Sequence, residues 1–243
     1  MPEGPSIVIA KEEMTVFICK KVVEATGNAK IDMERIKGKV LTDVKSWGKH
    51  LLLCFDEFTI RIHFLLFGSY LVNEKKSAVI RLGLAFNNGH INFYAASVKI
   101  LEGSIDSHYD WSADVMSDQW SASKTIKKLS MNKEELVCDV LLDQDVFSGV
   151  GNIIKNEVLF RVSVHPNSLI DKIPPKKLKQ ITEQARNYSF DFLKWKKEFQ
   201  LKKHWLVHTK KECVQCGNKL IKEYTGKKKR RSFFCTTCQK LYV

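Results

Sequence analysis

Four cysteines restrict this chain more than any other feature: Cys213-x2-Cys216 and Cys235-x2-Cys238, with eighteen residues between the pairs. A Cys-x-x-Cys turn offers two thiols from one tight knuckle, and two knuckles on adjoining strands close a tetrahedral site with zinc-ribbon spacing. Two disulfides are the competing reading. The first residues lack the basic and then apolar stretches of a secretory leader, so a reducing, cytoplasmic address is expected and metal is favoured. Four sulfur ligands leave no position for water, so the expected ion is a single structural zinc. The other cysteines, Cys19, Cys54 and Cys138, lie in apolar settings and are expected in cores.

The 243 residues carry a net charge of +13, and its distribution is informative. Residues 201–243 hold twelve Lys and Arg against two Glu, which places +10 of the total in the last sixth of the chain. A basic surface concentrated beside a metal ribbon points to nucleic acid as partner. No window approaches eighteen uninterrupted apolar residues, so no membrane span is expected.

The patterning divides the chain into three regions. "IVIAKEEMTVFICKKV" reads as one amphipathic helix with Ile7, Met14, Phe17 and Ile18 among its apolar positions. Strand signals follow to about residue 100: "FTIRIHF" alternates strictly, and "AFNNGHINFY" sets Asn88-Gly89 between two apolar runs, a hairpin signal. This half is expected to be an antiparallel sandwich or barrel. "SHYDWSADVMSDQWSASK" is polar and reads as a linker, after which "MNKEELVCDVLLDQDVF" resumes helical spacing. Helices continue through "NIIKNEVLFRV" and the long "KKLKQITEQARNYSFDFLKWKKEF" to about residue 203.

Within "FSGVGNIIKNEVLF" two glycines permit a tight turn and Asn152 stands where an N-cap belongs. A capped helix corner needs no function. The same geometry also presents unpaired N–H groups and a positive dipole end to a phosphate, with the Asn amide as a further donor.

"MPEGP" at the start, "SWGKHLLL" at 46–53, "FSGVGNIIKNEVLF" at 147–160 and the ribbon ending "RRSFFCTTCQK" occur in one order along the whole chain. Together they resemble the formamidopyrimidine-DNA glycosylase/endonuclease VIII family. The resemblance implies an α+β multidomain fold. Residues 1–117 would form a catalytic antiparallel β-sandwich with a flanking helix, 125–205 a helix-two-turn-helix DNA-binding domain, and 206–243 a four-cysteine zinc-ribbon hairpin. It implies a base-excision repair glycosylase and AP lyase acting on damaged double-stranded DNA. A monomer in the cytoplasm, or at the nucleoid of a bacterium, is expected.

By that resemblance the secondary amine of Pro2, freed by removal of Met1, attacks the anomeric carbon of a flipped nucleotide and forms an iminium. Glu3 matches the family acid that protonates the sugar ring. Lys49 in "WGKHL" matches a lysine that contacts the phosphate beside the lesion, and Asn152 matches a phosphate-gripping asparagine. Arg230, five residues before Cys235, matches the ribbon arginine that does the same, with Arg231 as its close neighbour. Leu65, Leu66 and Phe67 in "HFLLFGS" lie where relatives fill the gap left by the flipped base; a buried strand is the alternative for each. Chemistry favours this terminal group, since an α-amine titrates near pH 8 (about 7.7–8.0) whereas a lysine does so near 10.4.

Two departures bear on substrate. Ser6 stands where relatives usually carry an acid, and no glycine occurs between Gly151 and Gly217. The branch that excises oxidised guanine usually has a glycine-bearing loop in that interval. Its absence, with Gly4 in "MPEGP", favours the endonuclease VIII-like branch, oxidised pyrimidines and β,δ-elimination. The alternatives are an 8-oxoguanine- and formamidopyrimidine-specific enzyme of the same family, a non-catalytic damaged-DNA-binding protein, and an RNA-binding ribbon protein; the last two leave the Pro-Glu start unexplained.

Overall fold

The alternation in "FTIRIHF" becomes a strand that sends Phe58, Ile60 and Ile62 into a core and turns Thr59, Arg61 and His63 to its other face. The computed structural model describes residues 2–243 and divides between Tyr109 and Asp110 into two compact units. The first begins with helix α1, Gly4–Met14, with Pro5 in its first turn, where a missing N–H costs nothing. Ile7, Ala10 and Met14 form its buried stripe, and a short 3-10 turn continues to Phe17, which is also buried. Eight strands follow: β1 Val22–Thr26, β2 Asp43–Trp47, β3 His50–Cys54, β4 Phe58–His63, β5 Ser69–Val72, β6 Ile80–Phe86, β7 Gly89–Tyr94 and β8 Ser97–Glu102. They form two antiparallel sheets, ordered β1-β6-β7-β5 and β2-β3-β4-β8. One apolar cluster joins α1 to both sheets through Met14, Leu53, Ile60, Leu84 and Phe93, so this unit is a sandwich with a flanking helix.

Two local expectations shift. The β6–β7 turn is Asn87-Asn88, and Gly89 is already the first residue of β7. Gly89 is required there by close approach: a Cβ would lie 2.1 Å from Asn73 Oδ1, the oxygen that accepts from the His90 N–H. Cys19 is exposed, in contrast to buried Cys54 and Cys138. The chain reverses at Cys19 with φ +63, and its N–H donates to the Leu41 carbonyl while its neighbour Ile18 packs on the core.

The second unit contains α2 Ala122–Met131, α3 Val137–Val140, α4 Asn152–Arg161, α5 Pro175–Lys197 and the antiparallel hairpin β9 Ile221–Thr225 with β10 Arg230–Phe234. The polar stretch expected as a linker begins with exposed Ser107 and His108 and carries the boundary between the two units, but is packed from Ser112 to Val115. Asp110 caps a short 3-10 turn, Ala113 and Val115 are buried, and Arg186 donates to the carbonyls of Val115 and Ser117. Helical spacing after Met131 yields only the single turn α3. Asp143 draws the backbone into turns, its carboxylate accepting from Asp145 N–H and its carbonyl from Phe147 N–H. The hairpin and the helices share one unit because Phe160 of α4 and Val207 pack into the small core of Cys213, Leu220, Phe233 and Cys235. Among the described residues no helix is long and apolar enough to cross a membrane.

Candidate functional site

Pro2 is half-buried and precedes Glu3, which occupies the N-cap position of α1 in extended conformation, its carbonyl accepting from the Ser6 N–H at 2.8 Å. The Glu3 residue is 0% exposed. A carboxylic acid out of water is costly to keep, so its burial next to Pro2 makes it a candidate for a functional position. Helix α1 packs against β2 and β3, and the two-residue turn joining those strands is Gly48-Lys49. Gly48 supplies φ +51, the positive dihedral such a turn requires, and Lys49 rides on its outer position.

Trp47 and His50, which flank this turn, belong to an aromatic cluster. Trp47 contacts Tyr109 at 4.9 Å between ring centroids, and His50 contacts His63 at 5.4 Å and Tyr109 at 5.8 Å. Burial, followed by the charges of Arg61, His63 and Lys49, pushes His50 down to about 3. His63 is lowered by burial and then by Lys49 and Arg61. Both imidazoles are therefore neutral at neutral pH and leave the positive charge here to Lys49 and Arg61.

His63 also accepts from the N–H of Leu65 at 3.3 Å. Phe64 is buried, but Leu65, Leu66 and Phe67 are 51%, 51% and 87% exposed in the turn between β4 and β5. A buried strand is thereby excluded for these three. Gly68 closes the turn so tightly that a Cβ would sit 2.1 Å from the Phe64 carbonyl oxygen.

In the second unit Asn152 is the first residue of α4, and Gly151 takes the N-cap position that sequence alone gives to Asn152. The side chain is free for other work: Nδ2 donates to the Arg231 carbonyl at 2.8 Å, while Oδ1 is buried with no partner among the described residues. The Asn152 amide is thus bonded to the carbonyl of the residue that follows Arg230. Arg231 is exposed, its guanidinium 5.7 Å from the Tyr224 ring centroid.

Three functional candidates escape the sequence reading, Lys155, Asn156 and Glu157, all buried. Asn156 Nδ2 donates to His208 Nδ1 at 3.0 Å, and its Oδ1 accepts from the Phe233 N–H at 3.4 Å. Glu157 accepts from the N–H groups of Leu206, Val207 and His208 at 2.9–3.1 Å, a nest that holds the segment entering the ribbon. His208 is pushed down to about 4, by burial first and then by Lys155 and Arg231. The available signal is that the apolar residues around Lys-Asn-Glu in "NIIKNEVLF", Ile154, Val158, Leu159 and Phe160, are spread around the whole helix rather than along one stripe, which leaves the trio no solvent face. At the hairpin tip Asp139 of α3 accepts from the N–H groups of Lys227 and Lys228, and Gly226 leaves room for that carboxylate.

The four ribbon cysteines place their sulfur atoms within 4.8 Å of one another. Cys213 and Cys238 are 3.8 Å apart, and Cys216 and Cys235 3.5 Å. These separations are too long for disulfides and match the roughly 3.8 Å edge of a tetrahedron with ~2.3 Å metal–sulfur bonds. The cluster can hold a metal ion.

A sandwich with a flanking helix, a helical unit with a glycine-framed helix start and a four-cysteine hairpin define a DNA glycosylase fold. The family model of the formamidopyrimidine-DNA glycosylase N-terminal domain matches residues 1–97, and that of the formamidopyrimidine-DNA glycosylase H2TH domain matches residues 112–189. Endonuclease 8-like 3 of Mus musculus is 32% identical over 213 residues, spanning 84% of this chain and 35% of that protein. Endonuclease 8-like 2 of Mus musculus is 31% identical over 197 residues, 74% of this chain and 57% of that protein. This chain therefore spans about a third to three-fifths of the length of these relatives. A formamidopyrimidine-DNA glycosylase of Lactococcus lactis, non-covalently bound to DNA containing an AP site, superposes with a TM-score of 0.86 at 17% identity, covering 98% of this chain and 99% of that one. The chain belongs to the formamidopyrimidine-DNA glycosylase/endonuclease VIII family, on its endonuclease VIII-like side.

Proposed function

We propose that this protein is a bifunctional DNA glycosylase and AP lyase of base-excision repair, acting on damaged double-stranded DNA with Pro2 as nucleophile. The observation that carries the proposal is Glu3, a fully buried acid one residue after that proline, at the head of the helix that packs beside the Lys49 hairpin. With Met1 removed, the Pro2 nitrogen forms a bond to C1′ of the flipped nucleotide, the bond from C1′ to the damaged base breaks, and the base departs with the proton that the Pro2 amine gives up. Glu3 gives its proton to the ring oxygen as the sugar opens, which leaves a cationic iminium. Loss of a 2′ proton then expels the 3′ phosphate, and a second elimination expels the 5′ phosphate. Lys49 holds a phosphate beside the lesion, and Asn152 and Arg230 grip others. The exposed Leu65, Leu66 and Phe67 occupy the gap in the stack, offsetting an extrusion that costs a few kcal/mol.

The metal is a structural zinc ion held by Cys213, Cys216, Cys235 and Cys238, which fixes the two knuckles of the ribbon and takes no part in the chemistry. The substrates are oxidised pyrimidines. Helix α5 runs to Lys197, a helical turn Leu201–His204 follows, and residues 152–216 contain no glycine, so this interval offers no hinged lid for a purine.

Borohydride trapping tests the nucleophile. One covalent adduct at Pro2 is expected, lost in Pro2→Gly with DNA binding retained; an adduct mapped to Lys49 overturns the assignment. Single-turnover excision tests the substrate: thymine glycol and dihydrouracil should be released considerably faster than 8-oxoguanine opposite cytosine. Equal or faster release of 8-oxoguanine, with strong dependence on the opposite base, would reverse the substrate assignment.

A further inference from the structure

We propose that Lys155 is a positioning residue for phosphate binding, its buried side chain fixing the strand that carries Arg230 and Arg231. The inference rests on the phosphate-gripping role proposed above for Arg230.

A lysine is almost never removed wholly from water unless partners replace its hydration. Lys155 is 0% exposed. Its Nζ donates to Ser232 Oγ at 2.7 Å and reaches the Arg231 carbonyl at 3.5 Å. That carbonyl also receives Asn152 Nδ2 at 2.8 Å and Asn156 Nδ2 at 3.4 Å. Three side chains from the first turns of α4 thus converge on one peptide of β10, which pins the plane of the Arg231–Ser232 link. The chain of bonds extends further. Ser232 Oγ also shares a hydrogen bond with Thr225 Oγ1 at 2.6 Å, on the facing strand β9. Ser232 and Thr225 are both buried, so Lys155 ties both strands of the hairpin to the helix.

The consequence for Arg230 follows from strand periodicity. Side chains two apart on a strand share a face, so Ser232 and Arg230 project from one side of β10. Holding Ser232 therefore sets the roll of the strand at Arg230, and holding the Arg231 carbonyl sets its advance. A lysine suits the task, because a compact ammonium with three donors serves hydroxyl and carbonyl together.

The test uses the full-length, metal-loaded protein and a duplex carrying a tetrahydrofuran abasic analogue. Lys155→Met keeps the length and removes the donors. It should raise the Kd about tenfold, as expected for losing a charge-assisted network. It should also lower the slope of log K against log salt by about 0.9, one phosphate contact. Trapping of an abasic duplex at saturating DNA should stay within about twofold, because Lys155 touches no reacting group. In an Arg230→Ala background the further loss on Lys155→Met should be under about twofold, since both changes remove one contact. Ser232→Ala, a milder change on the strand side, should weaken binding in the same direction. Wild-type affinity in Lys155→Met or, if that protein does not fold, in Ser232→Ala overturns the inference, as does a loss that multiplies fully with that of Arg230→Ala. An Arg230→Ala protein that binds as tightly as wild type instead overturns the phosphate-gripping reading, and the inference with it.

Discussion

Inside the first unit three polar or charged residues are buried among the described residues, Glu3, Thr59 and Asn92; inside the second there are fourteen, from Ser112 to Gln239. The sandwich has a broad apolar interface between two sheets and a helix, and non-directional burial suffices to hold it. The ribbon has a core of only six buried residues, too small to set its own orientation. Its placement is specified by directional bonds: Asp139 at the hairpin tip, Lys155 and Asn156 at β10, Glu157 at the entering segment. Against this background a buried charge in the second unit is ordinary scaffolding, whereas Glu3 stands alone in the first.

The contrast can be broken most directly at Glu3. If the acid is retained for chemistry, Glu3→Gln should lower single-turnover base release by roughly 10²–10⁴-fold without lowering the melting temperature. A strongly destabilised variant with proportionate activity would make Glu3 scaffolding like its counterparts in the other unit. A second comparison pits apolar against directional cohesion. Leu53→Ala, at a fully buried position between the sheets, should cost about 2–5 kcal/mol in chemical denaturation. Cys235→Ser should instead release metal and raise amide exchange in residues 206–243 while exchange in β3 and β4 stays at wild-type levels. Protection lost evenly through both units would show that they do not differ as described.

The smallest expected effect is on acid stability. His208 in the second unit is held down to about 4 and His50 in the first to about 3, against an ordinary value of 6.5. In each case the unfolded chain takes up a proton before the folded one does, so stability is complete above pH 6.5 and declines as the pH falls toward the folded values. The decline at His208 is on the order of 2–3 kcal/mol. Replacing His208 by Gln should flatten that dependence in the second unit and leave the His50 share intact; a profile unchanged between pH 6.5 and 4 would refute the assignment.

Period-two strands, the glycine-framed turn and the cysteine pairs depend on neighbours in sequence, and all were legible from the chain alone. The metal cluster followed from the cysteine pairs, and the family fold from the resemblance that "MPEGP", "SWGKHLLL", "FSGVGNIIKNEVLF" and the ribbon carry together. What escaped depends on neighbours in space. Asn152 reads locally as a cap, yet its amide serves a carbonyl seventy-nine residues away in the chain. Lys155 and Glu157 receive no role from the sequence, because their partners on β10 and at 206–208 come from distant sequence. The segment after Asp110 is polar enough to pass for a linker, and only the bonds from Arg186 show why it is packed. The extent of the exposed tip at Leu65–Phe67 was ambiguous for the opposite reason, since apolar residues after a strand ordinarily continue into the core.

That tip has a thermodynamic consequence. Leu65, Leu66 and Phe67 stand in water on a turn that Gly68 closes too tightly to fold them away. Ordered water around large apolar groups contributes positive heat capacity, which disappears when a partner surface covers them. Phosphate contacts carry no such signature, so if DNA covers this turn as proposed, the enthalpy of complex formation should become more negative as temperature rises, with a slope set by the turn between β4 and β5.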